Sequence, residues 1–108
     1  MENFKSSIIG HLDIIVSRNE NGLDGENECW NEVLIHGDPE GLRSLAHLLL
    51  RLADLDQESV VSLPVGAREH QHLQPKLELS SSSEAVIVGR LDAKGTGAFY
   101  DRYIPKES

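Results

Sequence analysis

The chain has 108 residues, and its 18 acidic against 10 basic side chains give a net charge of -8. That length suits one domain over residues 1–108 with one core, and the acidic balance argues against a nucleic-acid or anionic-membrane surface, each of which needs a basic footprint. The single cysteine, Cys29, excludes an internal disulfide framework and suits a reducing, cytoplasmic setting, no apolar run approaches the roughly 20 residues of a membrane span, and Asp13 interrupts the N-terminus before a signal-peptide core develops.

From about Ser7 to Ser17, residues Ile8, Leu12, Ile14 and Val16 share one parity while Asp13 and Ser17 fall on the other, which predicts a half-buried strand. Arg18 to Gly25 is dense in turn formers, including Asn21-Gly22, and reads as a long hairpin connection. Cys29 to His36, with Trp30, Val33, Leu34 and Ile35, is the expected antiparallel partner strand, and Cys29 itself is expected to be a small buried side chain.

Gly37-Asp38-Pro39-Glu40-Gly41-Leu42 ends that strand and opens a helix. Asp38 fits the N-cap, Pro39 fits N1 where a missing N–H costs nothing, and Glu40 puts negative charge at the positive end of the macrodipole. Leu42, Leu45, Ala46, Leu49, Leu52 and Ala53 recur at helical spacing and are expected to form the buried stripe, with Leu48 and Leu50 at its margins. Glu40, Arg43, His47, Arg51 and Asp54 mark the opposite, wet side.

Past Asp54 an irregular crossover leads to a short predicted strand over Glu69 to Gln74, stopped by Pro75. Ser80 to Ser83 read as a turn, and Glu84 to Leu91, with Val86-Ile87-Val88, as a well-covered central strand. Gly95-Thr96-Gly97 reads as a flexible joint. Residues 92–108 form a C-terminal tail, docked or flexible, and it carries Phe99, Tyr100 and Tyr103 of the chain's two Phe, two Tyr and one Trp. The order ββαββ predicts an α+β domain: a small antiparallel or mixed sheet of about four strands with one amphipathic helix on one face. The far sheet face is then polar, covered by the tail, or covered by another molecule.

Few residues suggest chemistry. His70 and His72 point the same way from a strand, an imidazole spacing used by metal sites, with Glu69, His36 or Cys29 as available further ligands. A metal-binding protein or small metalloenzyme built on that pair is therefore the alternative to a non-catalytic role. No general acid, no phosphate loop and no activated nucleophile is identifiable, so neither an enzyme nor a cofactor is expected.

Gly37-Asp38-Pro39-Glu40-Gly41-Leu42-Arg43-Ser44-Leu45-Ala46 running into Leu48-Leu49-Leu50-Arg51-Leu52-Ala53, then Glu69-His70-Gln71-His72-Leu73, then Leu79-Ser80-Ser81-Ser82-Ser83 before a Val-Ile-Val strand, resembles immunity protein family 32. The likeness spans about Val33 to Leu91. It implies a bacterial polymorphic-toxin immunity protein that binds a cognate toxin domain and blocks it without turnover. An acidic surface suits a basic partner such as a nuclease. Asp24, Glu26, Glu28 and Glu32 are the expected acidic contacts, with Tyr100 and Tyr103 as aromatic anchors. A homodimer or homo-oligomeric adaptor, covering the free sheet face with a second copy, is the remaining reading.

Overall fold

Residues 8–21 and 28–106 are described in the computed structural model of the chain. The first strand, β1 (Leu12–Asn21), pairs antiparallel with β2 (Glu28–Gly37) from Leu12 opposite Gly37 to Asn21 opposite Glu28. The strand thus runs through Arg18, Asn19 and Glu20, which the turn-forming composition assigned to the connection. Cross-strand pairing in a ten-residue ladder outweighs their local preference for turns.

One face of this hairpin carries Leu12, Ile14 and Val16 opposite Gly37, Ile35 and Val33. The other carries Asp13, Ile15, Ser17 and Asn19 opposite His36, Leu34, Glu32 and Trp30. Only Leu12 and Ile14, at the start of the first face, are buried. Cys29, near the far end, is exposed, which corrects the expectation of a buried thiol: the distal half of the hairpin extends past any covering element among the described residues.

The helix, α1 (Pro39–Asp54), begins as its sequence dictates. Asp38 is the N-cap and accepts from the Gly41 amide at 2.8 Å, Pro39 occupies the first turn, and the same carboxylate oxygen accepts from the His11 amide at 3.0 Å. One side chain therefore caps the helix and pins the segment leading into β1.

The buried face of α1 keeps only Leu45 and Leu52 of the expected stripe. Gly41, Ser44, Leu45, Leu48 and Leu52 are buried, with Leu48 wholly inaccessible, whereas Leu42 and Leu49 are 44% and 45% exposed and Ala46, Leu50 and Ala53 also face outward. The helix is turned by roughly 90° from the orientation that hydrophobic periodicity alone selects. The cause is close backbone approach. A Cβ on Gly41 would lie 2.1 Å from the His11 carbonyl oxygen, and Ser44 Oγ donates to the Ile9 carbonyl at 3.0 Å and accepts from the Ile9 amide at 3.2 Å. Two small residues admit the entering chain, and the helix presents that side inward.

A 3-10 turn (Gln57–Ser59) starts the crossover. Buried Gln57 donates to the Asp92 carbonyl and accepts from the Glu69 amide, while Lys94 Nζ donates to the Val60 and Leu63 carbonyls at 2.7 Å each. These long-range bonds hold a segment with little regular structure. The strands β3 (His70–Leu73) and β4 (Val86–Gly89) then form a second antiparallel pair.

The protein is thus α+β with one α-helix and four strands among the described residues, but the single four-stranded sheet is corrected to two separate two-stranded sheets. The serine turn joins them. Ser80 and Glu84 donate backbone bonds to the Leu12 and Ile14 carbonyls at 2.9 and 2.7 Å, and Ser83 Oγ accepts from the Ile14 amide and donates to its carbonyl. Residues 80–84 occupy the outer edge of β1 where a neighbouring strand would lie, and β4 begins only after the chain has left that edge. β4 is accordingly not a well-covered central strand: its alternate residues are exposed, Ile87 among them. Leu12, Ile14, Leu45, Leu48, Leu73 and Leu79 form the core, with Ile8, Val86 and Val88 against it.

The overall dimensions, 56 × 37 × 19 Å with a radius of gyration of 17.1 Å, exceed the roughly 13 Å expected of a sphere-like domain of this length. A flat body with a small core leaves much apolar surface uncovered.

Three aspartates are held below the ordinary carboxylate range. For Asp13 the causes are hydrogen bonds from Ser80 Oγ at 2.6 Å and Ser82 Oγ at 2.5 Å; for Asp38, the His11 and Gly41 amides; for Asp92, the paired guanidinium of Arg90. A lowered folded pKa means that the unfolded chain binds the proton more tightly, so stability from these groups is complete above the unfolded value near 3.8 and is lost as pH falls through the folded values. The thermal midpoint is expected to drop as pH is lowered below about 4, and Asp13→Asn combined with Asp38→Asn should flatten that dependence. An unchanged slope in the double variant, followed by circular dichroism, would count against these bonds as its source.

Candidate functional site

One uncovered surface is apolar. Val16, Val33 and Ile35 lie on the same hairpin face as the core residues Leu12 and Ile14, yet are 50%, 60% and 51% exposed. At the helix entry this face meets α1: a Cβ on Gly37 would lie 3.2 Å from Leu42 Cγ, so Leu42 sits over the end of β2 beside Ile35. Leu42, Ala46, Leu49 and Ala53 continue along the helix as a flank left out of the core. Rotation of the helix thus exposes these residues, and Leu42 among them sits at the end of β2. The outer edge of β2 has no strand partner among the described residues.

Glu32 stands on the opposite hairpin face beside Trp30, which is also exposed, and accepts a hydrogen bond from Asn19 Nδ2 at 3.0 Å. Glu28 opens β2, so both glutamates belong to the projecting hairpin. Asp24 and Glu26 lie outside the described residues.

Tyr100 and Tyr103 are brought together elsewhere. The Tyr103 amide donates to the Tyr100 carbonyl at 3.0 Å and the Tyr103 ring meets Phe99 edge-on, while the Tyr100 ring lies 3.9 Å from the guanidinium carbon of Arg68 and 5.0 Å from that of Arg102. The tail is tied to the crossover and to β3 through these contacts and through Lys94. Gly95 and Gly97, both in the left-handed region, form a hydrogen-bonded turn between Ala93 and Ala98.

Tyr100 lines a cleft of about 450 Å³ together with Arg68, His70, Gly89, Arg90 and Arg102. Nothing in the sequence groups these residues. Arg90 uses four of its five N–H donors: Nε and Nη2 grip the Asp92 carboxylate at 2.8 and 2.7 Å, and Nη1 donates to the Leu52 and Leu55 carbonyls, capping the last turn of α1. Asp92 holds its charge in return.

His70 and His72 project from one side of β3 with ring centroids 5.1 Å apart, and the His70 Nδ1–H donates to the Arg68 carbonyl at 3.0 Å. Among the described residues no group of three or more His, Cys, Asp or Glu side chains converges as a metal site would require. No described helix is long and apolar enough to cross a membrane.

Compared with known proteins, residues 32–91 match the protein family described as Immunity protein 32. The matched stretch takes in most of β2, the helix entry, the His-x-His strand and the serine turn. No curated protein and no solved structure matches the chain.

Proposed function

Because the chain belongs to the Immunity protein 32 family, we propose that it neutralises a cognate bacterial toxin domain in the cytoplasm by occluding it without catalysis, through the exposed β1–β2 hairpin and the adjoining flank of α1. The observation that carries this reading is the uncovered face of Val16, Val33, Ile35, Leu42 and Leu49. Leaving so many large apolar side chains in water is costly for a domain of this size unless a partner covers them.

The acidic residues of the hairpin, Glu32 on the face opposite the apolar one, support a basic partner. Glu28 and Glu32 lie on the hairpin strand, Asp24 and Glu26 belong to the same acidic stretch of sequence, and the whole chain carries a charge of -8. Such a field steers a cationic surface toward the hairpin, as a nuclease built to grip phosphates would present. Trp30 supplies an exposed aromatic ring on the hairpin, of the kind enriched at binding hot spots, whereas Tyr100 and Tyr103 stand in the tail, away from this face.

The test is titration calorimetry, with stopped-flow kinetics for association, against the cognate toxin domain. Val33→Asp and Ile35→Asp are expected to weaken binding by about 100-fold or more, and Glu28→Lys with Glu32→Lys to slow association most strongly at low salt. Both apolar positions are exposed, so circular dichroism should show the fold retained. Undiminished affinity in the folded apolar variants would remove this face from the interface.

A further inference from the structure

We propose that the cleft between the end of the β3–β4 hairpin and the C-terminal tail is a binding site for an oxyanion, a phosphate or carboxylate group carried on a small molecule, held by Arg68 and Arg102 beside Tyr100. The inference is independent of the toxin-binding face, which lies on the other hairpin.

The charge distribution points to it. In a chain of net charge -8 with only 10 basic residues, three guanidinium groups converge on this one cleft. A single carboxylate, Asp92, is engaged there, and its two oxygens are taken by Arg90. Arg68 and Arg102 form no ion pair among the described residues. Arg68 helps hold the Asp92 charge, yet neither it nor Arg102 is paired with a carboxylate at ion-pair distance, so the two guanidinium groups near one tyrosine ring leave positive charge that an anion would offset.

The groups are also prepared for such a ligand. Arg68 Nε donates to the Leu91 carbonyl and Nη2 to the Ala98 carbonyl, each at 2.7 Å, and its plane is packed 3.9 Å from the centre of Tyr100. That fixes the fork in place while leaving three of its five N–H donors for a ligand. A guanidinium immobilised before binding loses little entropy on capturing an oxyanion and presents paired donors that match its geometry. Arg102, whose guanidinium carbon lies 5.0 Å from the centre of the Tyr100 ring, is exposed and supplies a second cation. Exposed Ile87 provides an apolar wall, and the volume of about 450 Å³ lies within the roughly 300–1,000 Å³ range of small-molecule sites.

The experiment is a nitrogen–proton NMR titration of the full chain with inorganic phosphate, and separately with succinate, at constant ionic strength maintained with sodium chloride. Saturable shifts are expected at the Arg68 and Arg102 side-chain Nε–H groups and at the Gly89 and Tyr100 amides in one arm or both, and the arm that saturates at lower concentration identifies the preferred oxyanion. Arg102→Ala, which removes no hydrogen bond of the fold, should weaken that binding at least about fivefold, while Arg43→Ala on the exposed side of α1 should leave it unchanged. Linear drift in both arms, or a saturation curve in Arg102→Ala identical to that of the parent, would overturn the assignment.

Discussion

Leu48→Ala is expected to lower the free energy of unfolding by about 2–5 kcal/mol, a large share of what a domain of this size possesses. Leu48 is completely inaccessible and belongs to the cluster of Leu12, Ile14, Leu45, Leu73 and Leu79 that joins the helix to both hairpins. Truncation removes three heavy atoms from a core too small to collapse around the gap. Leu49→Ala, one residue away, should cost less than about 1 kcal/mol, because its side chain is nearly half exposed and alanine is the better helix former. Urea unfolding of the two variants at equal slope checks the difference. Equal losses would mean that the helix is docked through the other face.

Gly41→Ala is expected to destabilise the protein by about 1–3 kcal/mol, although the same change inside an ordinary helix gains up to about 1 kcal/mol from propensity. The opposite sign follows from the 2.1 Å separation between the added Cβ and the His11 carbonyl oxygen, a backbone atom that cannot rotate aside. Relief requires the Ile9–His11 segment to lift from the helix, which breaks the Ser44 bonds to Ile9 and the Asp38 bond to His11 together. The thermal midpoint should therefore fall by several degrees or more. A rise would show that the entering chain does not cross α1 at this point.

Both predictions turn on the same gap between periodicity and packing. Counting apolar residues at helical spacing selected Leu42, Ala46, Leu49 and Ala53 as inward, because a hydropathy pattern treats Gly41 and Ser44 as breaks in the stripe. In the folded protein those two are the contact itself, since only small residues let the backbone of Ile9–His11 approach. The leucines displaced by this choice became the exposed flank on which the functional reading rests. In β1, likewise, Arg18, Asn19 and Glu20 carry turn-forming character locally but are held extended by β2. Asp24, Glu26, Glu28 and Glu32 stand close together in the sequence itself. The basic cleft is not legible there, because Arg68, Arg90 and Arg102 are scattered through the chain and meet only through tertiary contacts.

What the sequence by itself determined are the features that close over a few residues. They include the Asp38 cap three residues ahead of its donor, the alternation that sets hairpin register, the stop at Pro75, the acidic charge, and the run of residues that carries the family likeness. Tertiary structure alone decided which side of α1 faces inward, that residues 80–84 take the edge of β1 in place of a strand, and where the arginines converge. Those outcomes depend on contacts such as Ser44 with Ile9, 35 residues apart, and Ser83 with Ile14, 69 apart. Local propensity carries no term for such partners, and competition among them for buried polar groups and close backbone approach is resolved only when the whole chain is folded.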